Sequence, residues 1–120
     1  MRKDSSYLIK YTSSGLYCEL ADAWIDPIKP VKRALITHAH MDHFCFGCDE
    51  YISTYETAVI IKERIGKEIN IKTYDYEKEF KINGIKISFH PSGHILGSSQ
   101  IKFSLAEEIW LITGDFKRQK

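Results

Sequence analysis

A strand-rich α/β fold with one main helix is predicted for this chain, and three observations predict it. Short apolar runs broken by Gly, Pro, Asn and Ser fill the first quarter and return from Glu79 onward. One stretch, Thr54 to Gly66, carries apolar residues at helical spacing. Asn83-Gly84 lies between two alternating runs, the signal of a two-residue hairpin turn.

The elements follow in order. Tyr7-Leu8-Ile9-Lys10 and Leu16-Tyr17-Cys18-Glu19-Leu20 are expected strands flanking the turn-like Thr12-Ser13-Ser14-Gly15. Ala23-Trp24-Ile25-Asp26 is a short strand ended by Pro27 and Pro30, and Ala34-Leu35-Ile36-Thr37 is a buried one. Tyr51-Ile52-Ser53 is a further short strand. Thr54 can cap the helix, with Thr57 three residues on; Ala58, Ile61 and Ile65 share one face, and Gly66 ends it. Phe80-Lys81-Ile82 and Ile85-Lys86-Ile87-Ser88-Phe89 form the hairpin arms. Ser99–Leu105 and Ile109–Thr113 make a last pair joined through Ala106-Glu107-Glu108.

At 120 residues, 43% hydrophobic and 28% charged, the composition is that of one globular domain. Seventeen basic and 16 acidic residues leave a net charge of +1, so bulk charge gives nucleic-acid binding no support and does not exclude a local patch. The first residues resemble no signal peptide, and no run approaches the ~18 apolar residues of a membrane span. Three cysteines, an odd number, point to a reducing cytoplasmic setting with free thiols.

Residues 38 to 43 read His-Ala-His-Met-Asp-His, directly after the apolar run. Four of six side chains can ligate a metal, which favours a metal site over a polar loop that happens to hold histidines. On extended backbone His38 and His40 project to one side and can pinch one ion. Asp42 keeps that parity and His43 breaks it, so a second ion is plausible; paired hydrolytic metals sit about 3.5–4 Å apart.

Such a site needs partners from farther along the chain. His94, on the Gly-containing loop after the strand that ends at Phe89, is placed to be a third ligand with His38 and His40. Asp115, after the apolar Ile109-Trp110-Leu111-Ile112, can bridge two metals; the plainer reading is a turn aspartate. Asp26 suits an outer role, holding a ligand imidazole, or else a turn cap before Pro27. His90 is expected to be structural or to support the ligands. Cys45-Phe46-Gly47-Cys48 is a C-x-x-C with neither a second such pair nor a thioredoxin-like setting, and is expected to be incidental. Lys117 and Arg118 can meet a phosphate, although a solvated basic tail explains them as well.

These motifs together resemble the metallo-β-lactamase superfamily: H-x-H-x-D-H at 38–43, Gly93-His94 and Gly114-Asp115 match its ligand motifs in order. Trp24-Ile25-Asp26-Pro27, Pro30-Val31-Lys32-Arg33-Ala34, His90-Pro91-Ser92-Gly93-His94-Ile95-Leu96-Gly97-Ser98 and Thr113-Gly114-Asp115-Phe116-Lys117-Arg118 resemble its nuclease branch. That branch includes mRNA 3′-end processing factors and ligase-associated DNA exonucleases. The resemblance runs from about Gly15 to the end. It implies Zn²⁺ as cofactor, with His38, His40 and His94 on the first metal and Asp42 and His43 on the second. Asp115 would bridge, Asp26 would support a ligand, and Asp42 and Asp115 would be the catalytic carboxylates. The implied activity is phosphodiester hydrolysis, with nucleic acid as partner of the complete enzyme and no membrane.

Family members continue past the Gly-Asp motif with the rest of the αββα sandwich, a nucleic-acid-gripping cap and a last histidine. Residues 1–120 are therefore expected to be a single partial domain, the amino-terminal half of the sandwich. A large apolar patch would be left uncovered, a complementing carboxyl-terminal half would be a possible partner, and the chain alone would have little activity. Two other functions fit: a non-catalytic metal- or partner-binding remnant, and a thioester or ester hydrolase of the same superfamily.

Overall fold

Alternation of apolar and polar residues builds most of the strands. In the computed structural model, which describes residues 8–38, 44–65, 69–91 and 99–112, ten strands and one helix form. The first sheet holds β1 (Ile9–Thr12), β2 (Gly15–Cys18), β3 (Ala23–Ile25), β4 (Arg33–Leu35), β5 (Glu50–Ser53) and β6 (Ile71–Thr73), in that order. β1 to β3 are antiparallel, whereas β3 to β6 run parallel, with α1 (Tyr55–Ile65) crossing between β5 and β6. The second sheet is wholly antiparallel, in the order β10 (Glu108–Ile112), β9 (Ser99–Leu105), β8 (Ile85–Pro91), β7 (Phe80–Ile82).

Side-chain parity sets the layers. Ile85, Ile87 and Phe89 of β8 and Ile101 and Phe103 of β9 point inward and are fully buried. They meet Leu16, Ile25, Leu35 and Ile52 from the first sheet in one core between the sheets. The opposite parity of the parallel strands, Ala34, Ile36 and Tyr51, packs with Ile61 of α1 in a second core. Sheet, sheet and helix thus stack as three layers, the strand-rich fold with one main helix that the sequence predicts. The outer face of the second sheet is polar at Lys86, Gln100, Lys102 and Ser104, with Ile109 and Leu111 exposed on β10.

Local chemistry explains the boundaries. The Thr54 hydroxyl accepts the Thr57 amide at 3.3 Å and the Thr54 carbonyl accepts that of Ala58 at 3.0 Å, so Thr54 caps α1 as expected. Gly66 lies outside the described residues. Asn83 and Gly84, at φ 52° and 87°, make the hairpin turn whose twist suits its strands. Several bounds differ from the sequence reading: β1 runs Ile9–Thr12 and β2 Gly15–Cys18, so Thr12 and Gly15 belong to strands rather than to the turn. β4 begins at Arg33 and stops at Leu35 rather than Thr37. Glu108 joins β10, opposite Leu105, which leaves a two-residue turn at Ala106-Glu107. β6, with no alternation and largely exposed, has no counterpart in the sequence reading; it is held by pairing to β5.

Candidate metal centre

The parallel arrangement brings the carboxyl ends of β3 and β4 side by side, and polar side chains follow both. Asp26 comes directly after β3 and adopts φ 47°, a left-handed conformation that aspartate tolerates better than most residues. Its amide donates to the Leu35 carbonyl at 2.9 Å, which extends the pairing with β4 and turns the carboxylate toward Thr37. The carboxylate takes both donors that Thr37 offers: the amide on Oδ1 at 2.9 Å and the hydroxyl on Oδ2 at 2.6 Å. Thr37 itself is fully buried.

The same hydroxyl oxygen lies 2.8 Å from Nδ1 of His38. A hydroxyl has one proton, and this one is given to Asp26. The contact therefore has the imidazole Nδ1–H donating to the Thr37 oxygen, which in the neutral ring leaves the lone pair on Nε2. A carboxylate acts on an imidazole through an intervening hydroxyl, fixing ring orientation and tautomer. A metal-ligating histidine needs this arrangement: neutral, held through one nitrogen, with the lone pair on the other.

The second sheet closes on the same spot. The Ser99 amide, first in β9, donates to the Thr37 carbonyl at 2.7 Å. Pro91, last in β8, pairs with Ser99, and Ile112, last in β10, pairs with Ile101 two residues along. The described residues that border segments 39–43, 92–98 and 113–120 thus include neighbours at one end of the sandwich. Ser99 Oγ is fully buried there and has no hydrogen-bond partner among the described residues.

Of the predicted ligands only His38 is described; His40, Asp42, His43, His94 and Asp115 lie outside the described residues, as do Lys117 and Arg118. Among the described residues no three His, Cys, Asp or Glu side chains gather into a metal-holding group. The donor chemistry of His38 nevertheless fits a borderline divalent metal such as Zn²⁺, which takes neutral imidazole nitrogen. His90 is half-buried, with Nε2 2.8 Å from Ser88 Oγ, on the side of β8 away from the core. The sequence reading assigns Thr37 no part in the site; its one signal there is a hydroxyl side chain ending an apolar run immediately before a histidine.

Cys45 and Cys48, both half-buried, are free thiols, as is the buried Cys18. Burial, then the neighbouring Cys48, pushes the Cys45 thiol up.

No family model matches the chain. Among curated proteins it is 34% identical over 110 residues to a probable DNA ligase of Opitutus terrae, a match over 90% of this chain and 11% of the relative. It is 38% identical over 50 residues to the endoribonuclease ysh1 of Emericella nidulans, 42% of this chain and 6% of the relative. It is 27% identical over 127 aligned residues to the transcription termination factor FttA of Methanosarcina mazei, 78% of this chain and 20% of the relative. The chain therefore spans a fifth or less of each of these relatives. Among solved structures it resembles a B3 metallo-β-lactamase with an active-site glutamic acid, with a TM-score of 0.54 and 14% identity, over 87% of this chain and 53% of that one. A metallo-β-lactamase from Cronobacter sakazakii, a variant in its HARLDQ motif, gives a TM-score of 0.51 at 14% identity, over 86% and 54%.

Proposed function

We propose that the chain, which shares the metallo-β-lactamase fold and resembles the nuclease branch of that superfamily, forms part of a zinc-dependent phosphodiesterase acting on nucleic acid. The observation that carries this reading is the Asp26–Thr37–His38 chain of hydrogen bonds, which prepares an imidazole nitrogen for a metal at the head of the His-x-His-x-Asp-His string. His38, His40 and His94 would hold one Zn²⁺ and Asp42 and His43 a second, with Asp115 between them. Bound there, the metal would acidify a water to a pKa near about 7 and polarise the phosphodiester.

The chain's own residues supply position and protons. Asp26 and Thr37 hold His38 at one tautomer, so the ligand needs no rearrangement when the metal arrives. The Ser99–Thr37 backbone bond ties the start of β9, just after the segment that carries His94, to the strand end that carries His38. Lys117 and Arg118 are candidates for holding a phosphate. Nucleic acid is the substrate class, in keeping with relatives that include a DNA ligase and an endoribonuclease. A reducing cytoplasm suits the free thiols.

The chain spans 53% of the lactamase that it resembles in fold. By itself it is expected to bind one metal weakly and to turn over little; joined to a complementing carboxyl-terminal part, it should hydrolyse bis(p-nitrophenyl) phosphate and single-stranded DNA. Zinc titration of the wild-type chain and of His40→Ala tests the site. Equal zinc uptake by the two, or brisk hydrolysis by the 120 residues alone, would contradict the reading.

A further inference from the structure

The Cys45-Phe46-Gly47-Cys48 string has no part in the chemistry above, yet it begins two residues past His43. Phe46 and Gly47 form a turn, with Gly47 at φ 95°, where glycine avoids the strain that other residues would meet. One side chain holds both ends of that turn. The Tyr51 hydroxyl donates to the Cys45 carbonyl at 2.5 Å and accepts the Cys48 amide at 3.2 Å. Burial pushes the Tyr51 phenol up to about 12, so the hydroxyl keeps the proton it donates. Tyr51 lies in the core on β5 and stacks on Phe44, so its hydroxyl is fixed by packing rather than by the loop it holds.

Such a turn suits a disulfide. First and fourth Cα atoms of a tight turn lie within ~7 Å, and a disulfide spans about 4.4–6.8 Å between Cα atoms. Of the two cysteines, Cys48 already reaches back across the turn, its thiol 3.9 Å from the Cys45 carbonyl. Their surroundings differ. Cys48 Sγ accepts the Val31 amide at 3.4 Å and packs against the helix-side core, whereas the contact of Cys45 Sγ with the Phe46 carbonyl is exposed.

We propose that Cys45 and Cys48 are a redox pair, closing to an intramolecular disulfide by exchange with a low-molecular-weight disulfide. The Cys45 sulfur attacks one sulfur of the incoming disulfide, and the departing thiolate leaves as a thiol with the Cys45 proton. The Cys48 sulfur then attacks the Cys45 sulfur of the mixed disulfide, and a second thiol leaves with the Cys48 proton. Two cysteine thiols are oxidised and one external disulfide is reduced to two thiols. The Val31 amide contact holds the Cys48 sulfur in place for the second attack. In a reducing compartment such a pair serves as a reversible sensor rather than a permanent staple.

The test equilibrates the whole chain with reduced and oxidised glutathione in graded ratios, then blocks the remaining thiols and reads peptide masses. At oxidising ratios, the peptide carrying Cys45 and Cys48 is expected to be lighter by two hydrogens and unblocked, while Cys18 stays a thiol. Cys48→Ser is expected to stop at a glutathione adduct on Cys45. Tyr51→Phe keeps the ring, removes the hydroxyl that holds the turn, and is expected to lower the equilibrium yield of disulfide relative to thiol roughly tenfold. A wild-type chain that keeps both thiols, or that retains glutathione on Cys45 without closing, would overturn the pair. An undiminished disulfide in Tyr51→Phe would overturn the part assigned to that hydroxyl.

Discussion

At Thr37 a single hydroxyl joins two groups that the chain keeps apart: the carboxylate of Asp26, 11 residues earlier, and the imidazole of the adjacent His38. Thr37→Val keeps the volume and removes the shared oxygen, leaving the His38 tautomer unspecified from that side. Its zinc affinity should fall by roughly ten- to a hundredfold, as expected when a group supporting a metal ligand is lost. Thr37→Ser should restore most of it. Competition with a chromophoric chelator measures the affinity, and the nitrogen NMR shifts of His38 report the tautomer without any metal. An unchanged tautomer in Thr37→Val would remove this role. Four candidate ligands in six positions stand out in the sequence. The connecting hydroxyl does not. A threonine after an apolar run reads as one more strand residue until the neighbouring strand end is seen beside it.

Among the elements, those whose information is local were read correctly. The β7–β8 hairpin follows from Asn83-Gly84, both at positive φ, and α1 from its Thr54 cap and its buried Ala58 and Ile61. Gly84 at φ 87° has open space around its missing Cβ, so an alanine there meets strain in the backbone and no clash. Gly84→Ala should destabilise the chain by about 1 kcal/mol, measured by urea unfolding. A cost near zero would mean that the turn changes type without penalty. β6 shows the other case. Ile71-Lys72-Thr73 has no pattern of its own and becomes a strand because α1 returns the chain beside β5. β-strand formation depends on a partner more than on the segment itself.

For the whole molecule, stability rests on two cores that share the first sheet. Phe89 and Phe103, both fully buried, sit in the core between the sheets. Phe89→Ala should cost about 3–5 kcal/mol, a large part of the ~5–15 kcal/mol that holds a domain of ordinary stability. The same variant should weaken zinc binding, since the Ser99–Thr37 bond depends on the second sheet staying docked. Thermal melting and zinc titration of one sample check both, and a well-folded variant with full affinity would separate the core from the site. By itself the sequence determined the strand-rich class, the hairpin, and the helix and its cap, and it singled out candidate metal ligands, because turn φ angles, side-chain periodicity and ligand chemistry act over a few neighbouring residues. The tertiary structure alone decided that Asp26 reaches His38 through Thr37, that β9 closes on the end of β4, and that the Tyr51 hydroxyl holds the C-x-x-C turn. Each of these depends on which segments become neighbours in space, and that is fixed by how two sheets and a helix bury their apolar faces together.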